Sequence, residues 1–140
     1  MRRLDYTYSL PPYPVWDWRP GAQSDLFVYD EGYLELPSRV TEICNALRDN
    51  PDTRQAVLVL NKGITYMSCL LSIQWLIMDN RCRAIAHFRS QHETLGRPGD
   101  SKLLQHLHTL VMDSLPHCTA DDITVHVGDY HYYPLTKKSI

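Results

Sequence analysis

Apolar positions along the chain change period several times, and each change marks an element. Val40, Ile43, Cys44 and Leu47 recur at three- and four-residue intervals, which places them on one face of a helix. Pro37-Ser38 opens that helix, with Ser38 of a type favoured at caps, and Asn50-Pro51-Asp52 closes it after Asp49. Leu103, Leu104, Leu107, Leu110 and Val111 repeat the helical spacing, predicting a buried helix over Ser101–Leu115. Between them, Ala56–Leu60 is a short β-rich run. Tyr66–Met78 and Arg81–Phe88 then read as two long antiparallel strands around the turn Asp79-Asn80. Ile123–Tyr133 predicts a closing strand, and Asp25–Tyr29 and Tyr33–Leu36 flank Asp30-Glu31-Gly32 as a hairpin. Residues 1–22 combine Tyr6, Tyr8, Pro11, Pro12, Tyr13, Pro14, Trp16, Trp18 and Pro20. Proline removes backbone donors and blocks helix, so this stretch reads as an extended arm, either a packing strap or a clamp on a partner subunit. The order predicts an α+β fold with a largely antiparallel or mixed sheet backed by one long buried helix.

Bulk properties narrow the function classes. A length of 140 residues fits one domain spanning 1–140, and 44% hydrophobic content fits a folded globule. The net charge of −2 leaves no basic footprint for DNA or RNA, so no nucleic-acid partner is expected. No apolar run reaches membrane-span length, and Met1-Arg2-Arg3-Leu4-Asp5 lacks the apolar stretch of a signal peptide. Cys44, Cys69, Cys82 and Cys118 form no CxxC pair, which suits reduced thiols in the cytoplasm. His106 and His108 make no metal-ligand set with the other histidines, so no metal is expected and a packed or solvated role is read for both.

Five stretches carry candidate chemistry. Met67-Ser68-Cys69-Leu70 places a thiol in an apolar run, and Phe88-Arg89-Ser90 places a guanidinium and a hydroxyl twenty residues later. Arg89 through Asp100 reads Arg-Ser-Gln-His-Glu-Thr-Leu-Gly-Arg-Pro-Gly-Asp. Gly128-Asp129-Tyr130-His131-Tyr132-Tyr133 lies near the end, and Pro51-Asp52-Thr53-Arg54-Gln55 lies upstream. In this order and spacing they resemble the thymidylate synthase and dCMP hydroxymethylase family over roughly residues 51–133. The family's counterparts are a Pro-Cys-His nucleophile motif, a Gln-Arg-Ser phosphate motif, Arg-Ser-x-Asp-x-x-Leu-Gly-x-Pro-Phe-Asn, Gly-Asp-x-His-x-Tyr and Pro-Asp-Ser-Arg-Arg.

The resemblance implies a thymidylate synthase-like fold and a site for a pyrimidine nucleoside monophosphate. Cys69 would add to pyrimidine C6 and so activate C5, which is nucleophilic catalysis. Arg89 and Ser90 would bind the phosphate, Asp100 would read the base, and His131 and Tyr133 would bind the sugar hydroxyl. Arg54 would reach the neighbouring site of a homodimer packed sheet against sheet. The implied cofactor is 5,10-methylenetetrahydrofolate. Asp100 stands where the family's synthases carry Asn and its hydroxymethylases carry Asp. A carboxylate offers only acceptors, so dCMP is favoured over dUMP.

Each residue also has a plainer reading. Cys69 can be a small buried hydrophobe, Arg89 a strand-end charge, His131 a half-exposed strand histidine, and Asp100 a cap for a helix beginning at Ser101. Leu70, Gln55, His92 and Gly99 depart from the family pattern. Glu31, Glu35 and Glu42 are candidates for the family's water-organising Glu. The chain ends seven residues after Tyr133, short of the family's folate-closing tail, so a truncated member is expected. Two functions stand open: a compact C5-hydroxymethyltransferase or methyltransferase suited to a bacteriophage, and an inactive relative that sequesters a nucleotide or pairs with a partner protein.

Overall fold

A computed structural model describes residues 1–13, 36–61 and 67–132. Among these residues the chain forms five strands and two helices: β1 (Arg2–Leu10), α1 (Leu36–Asp49), β2 (Val57–Asn61), β3 (Met67–Met78), β4 (Arg81–His92), α2 (Arg97–Asp113) and β5 (Thr119–His131). The strands make one sheet in the order β1-β5-β4-β3-β2. Three pairs are antiparallel, while β4 and β5 run parallel, with α2 in the connection between them. The sheet is therefore mixed and the fold α+β, as the period changes predict.

Local chemistry explains the elements. Asp79 and Asn80 both adopt positive φ, 53° and 61°, in the two-residue link that closes the Met78–Arg81 pair. Such turns match the twist of the strands they join, and Asp and Asn tolerate that conformation best among residues with side chains. The strands alternate in the usual way: Leu58, Ile73, Trp75, Cys82, Ala84, Ala86, Ile123 and Val125 are buried on one face. Both helices cover that face. Val40, Ile43, Cys44 and Leu47 of α1 and Leu103, Leu104, Leu107 and Val111 of α2 complete the core. The Trp75 indole donates to His108 Nδ1 at 3.1 Å, and His108 Nε2 lies 3.2 Å from the Asp121 carbonyl. An indole N–H only donates and a carbonyl only accepts. His108 is thus the neutral Nε2–H tautomer, and burial pulls its pKa below the ordinary 6.5.

Several boundaries differ from the sequence reading. The first helix begins at Leu36, so Ser38 lies inside it rather than capping it, and Leu36 belongs to this helix and not to a hairpin. The rest of the expected hairpin lies outside the described residues. The second helix begins at Arg97, with Gly96 at the N-cap and proline in its first turn. Proline is well placed there because the first helical N–H groups have no partner inside the helix. The strand from Arg81 continues to His92, and the last strand begins at Thr119, ahead of the apolar residues used to find it. Residues 2–10 of the expected arm are an edge strand hydrogen-bonded to β5; Pro14–Gly21 and Ala22 lie outside the described residues.

Candidate functional site

The regular alternation of β4 and β5 slips phase at one level of the sheet. On β4 the buried positions run Cys82, Ala84, Ala86, Phe88 and then Gln91; on β5 they run Ile123, Val125, Val127 and then Tyr130 and His131. Phe88 pairs with Val127 and Gln91 with Tyr130, so both strands change phase together. On β1, Asp5 has φ 54° between Leu4 and Tyr6, which pair with Asp129 and Val127. Gly128 sits at this level, and a Cβ there would come within 3.0 Å of the Arg89 carbonyl. The close approach of the two backbones therefore calls for glycine. Below this level the sheet buries hydrocarbon. Above it, polar groups turn inward.

Those groups form a connected set. The Tyr8 hydroxyl donates to Gln91 Oε1 at 2.8 Å, and Gln91 Nε2 donates to Asp100 Oδ2 at 3.1 Å. Gln91 and Asp100 are buried, at 3% and 8% exposure. The Arg97 guanidinium lies 3.9 Å over the Tyr8 ring, a cation–π contact, and donates to the Tyr130 hydroxyl at 2.9 Å. Burial pushes the Tyr8 phenol well above its ordinary range, although Arg97 and the hydrogen bond with Gln91 oppose the shift. It is therefore a standing hydrogen-bond donor at neutral pH.

Asp100 is in the first turn of α2, and the helix has no side-chain cap. The cap reading is overturned, because the helix begins three residues earlier than Asp100 and Gly96 takes the N-cap position. Asp100 instead reaches across to β4 through Gln91. Its carboxyl also acts on Cys69: burial raises the Cys69 thiol pKa, Arg89 lowers it, and Asp100 raises it further. Cys69 on β3, Arg89 on β4 and Asp100 on α2 are thus brought into one neighbourhood by three elements. Cys69 is half-buried beside the core, and Arg89 is exposed within β4, which continues to His92. Arg89 is therefore not the strand-end charge of the plainer reading. Ser90 is half-buried and pairs with Asp129.

Of the remaining expected residues, His131 and Arg54 are described and Tyr133 is not. His131 is 6% exposed rather than half-exposed; its Nδ1 lies 3.3 Å from the Asp129 carbonyl and 3.6 Å from Asp129 Oδ1, and its ring meets His92 edge-on. Tyr133 lies outside the described residues. Arg54 is exposed before β2, where its carbonyl accepts from Gln74. Glu42 is exposed on α1, and Glu31 and Glu35 lie outside the described residues. Sequence reasoning did not single out Tyr8, Gln91, Arg97 or Tyr130. Gln91, Arg97 and Tyr130 stand within the quoted motifs, but the two-residue alternation from Cys82 to Phe88 points next to Ser90, so no periodic signal marked Gln91.

Among the described residues, no helix is long and apolar enough to cross a membrane, and no group of three His, Cys, Asp or Glu side chains could hold a metal ion. No protein-family model and no curated protein matches the chain. Among solved structures, the chain is similar to thermostable thymidylate synthase A from Bacillus subtilis, with a TM-score of 0.61 and 19% identity. The match covers 68% of this chain and 36% of that enzyme. The fold is thymidylate synthase-like.

Proposed function

We propose that the protein binds a pyrimidine nucleoside monophosphate at the neighbourhood of Cys69, Arg89 and Asp100. The observation that carries this reading is the convergence of a thiol, a guanidinium and a carboxyl from three elements of a thymidylate synthase-like fold. Arg89 with Ser90 supplies charge-assisted donors for the phosphate. Asp100 offers acceptors to the 4-amino group of cytosine, which favours dCMP over dUMP. His131 and Tyr133 supply the sugar contacts in this reading, and Arg54 completes the site of a second copy in a homodimer.

Two roles for Cys69 follow. As an enzyme, the protein would add Cys69 Sγ to C6 so that C5 takes up a one-carbon unit. The 5,10-methylenetetrahydrofolate of this reading comes from the sequence resemblance. As a binding module, the protein would hold the nucleotide without bond formation.

Titration calorimetry with dCMP tests the reading. Arg89→Ala is expected to weaken binding by about 1.5–3 kcal/mol, the range for hydrogen bonds to charged groups. Unchanged affinity in a folded Arg89→Ala protein would remove the phosphate assignment. Mass spectrometry after incubation with a 5-fluoropyrimidine monophosphate and 5,10-methylenetetrahydrofolate separates the two roles. A covalent adduct on Cys69 marks the enzyme, and binding without an adduct marks the module.

A further inference from the structure

We infer that Gln91 and Tyr8 position Asp100 for base selection, so that the N-terminal strand takes part in setting ligand preference. The inference rests on the nucleotide-binding reading above and adds to it the device that fixes its base-reading group.

The geometry runs in one direction. The Tyr8 phenol, on edge strand β1, donates to Gln91 Oε1 at 2.8 Å. That bond turns the amide so that Nε2, which can only donate, faces Asp100 Oδ2 at 3.1 Å. Reversing the Gln91 amide would set Oε1 against a carboxylate oxygen, acceptor against acceptor, while the Tyr8 hydroxyl can serve either end of the amide. One arrangement of the three groups is therefore satisfied, and it is enclosed: Gln91 is 3% exposed and Asp100 8%. Arg97 packs on the Tyr8 ring from 3.9 Å, a cation–π contact that holds the phenol end of the string.

Selection follows from this constraint. A carboxyl free to rotate can move away from a mismatched carbonyl and meet it through water. A carboxyl pinned at Oδ2 presents its remaining acceptor capacity in a fixed direction and meets an amino group well and a carbonyl badly. The wrong base is penalised most when the reading group cannot relax, because the polar pair is then buried and mismatched. Gln91 touches Asp100 and Tyr8 touches Gln91, so both are positioning residues.

The test is the ratio of dCMP to dUMP affinity, measured by calorimetry on the full chain. The wild type is expected to prefer dCMP, and Asp100→Asn to abolish or invert the preference. Gln91→Met keeps the side chain's length and removes its hydrogen bonds. It is expected to reduce the ratio about two- to tenfold, the equivalent of one net hydrogen bond. Tyr8→Phe, which deletes one oxygen, is expected to reduce the ratio in the same direction by no more than Gln91→Met does. In the double variant Tyr8→Phe should add nothing, since the string is already broken. General loosening of the fold would weaken both ligands alike and leave the ratio unmoved. If Gln91→Met does not fold, Tyr8→Phe carries the test. A dCMP preference lost in Asp100→Asn but retained in Gln91→Met and Tyr8→Phe overturns the positioning role and leaves the nucleotide reading standing. Equal binding of dCMP and dUMP by the wild type overturns base selection by Asp100 and its positioning while leaving nucleotide binding in place, and binding of neither overturns both.

Discussion

Two buried polar strings hang on α2, and they differ in where they end. In the middle of the helix, Trp75, His108 and the Asp121 carbonyl form a string closed at both ends, with the donor and acceptor of the imidazole both used inside the core. At the N-terminal end, Tyr8, Gln91 and Asp100 form a string that finishes on a carboxyl acting on Cys69, near Arg89. The first begins and ends within the framework and so stabilises and specifies the packing of α2 on the sheet. The second brings a carboxyl close enough to act on Cys69, where the proposed nucleotide site lies. A buried polar network is informative about function through its terminus, since enclosure alone demands only that partners be found.

The largest expected effect comes from breaking the closed string. Trp75 is 0% exposed, so Trp75→Ala should destabilise the fold by about 3–5 kcal/mol in chemical denaturation, the range for removing a buried aromatic side chain. It also leaves His108 Nδ1 without its donor.

The same string should respond to acid. His108 is held neutral, with its folded pKa below the unfolded value of 6.5. The unfolded chain therefore takes up the proton first as pH falls, and stability present above 6.5 is progressively lost below it. His108→Gln can accept from Trp75 and donate to the Asp121 carbonyl without titrating. The denaturation midpoint of the wild type should fall more steeply from pH 7.5 to 5.5 than that of His108→Gln, and parallel curves would contradict this assignment.

The Tyr8–Gln91–Asp100 string should behave in the opposite way. Asp100→Asn retains an oxygen for the Gln91 amide, and Asp100 caps no helix end, so its stability cost should stay within about 0.5–1.5 kcal/mol. A cost as large as that of Trp75→Ala would erase the contrast between the strings. The smallest effect is expected at Arg2–Asp129, an ion pair of 2.9 Å whose side chains are 61% and 30% exposed. Arg2→Ala should cost about 1 kcal/mol or less, and less again in high salt.

The framework was the more legible of the two regions. Repeats of two, three and four residues sufficed to find β2, β3, β4, both helices and most of β5, because a core imposes its period on the sequence. The Asp79-Asn80 turn could be read directly, since few residues accept positive φ there. β1 was missed although Tyr6, Tyr8 and Leu10 alternate, because the prolines that follow from Pro11 dominated the composition of residues 1–22. The early start of α2 was hidden because its first turn, Arg97-Pro98-Gly99-Asp100, contains no apolar residue to set a period. Cys69, Arg89 and Asp100 were found through motif spacing and come together in space. Tyr8 and Gln91 owe their proximity to pairing between distant strands, since they stand 83 positions apart in sequence, which no local pattern encodes.

Protection of Cys69 from alkylation measures the central claim most directly. Cys44 and Cys82 are buried, while Cys69 and Cys118 are partly exposed, so Cys118 serves as an internal control in the same digest. Iodoacetamide labelling is followed by peptide mass spectrometry in the presence of dCMP, cytidine or no ligand. The account predicts that dCMP slows modification of Cys69 and leaves Cys118 unchanged, that cytidine without its phosphate protects far less, and that Arg89→Ala removes the protection. Equal modification of Cys69 with and without saturating dCMP would contradict it.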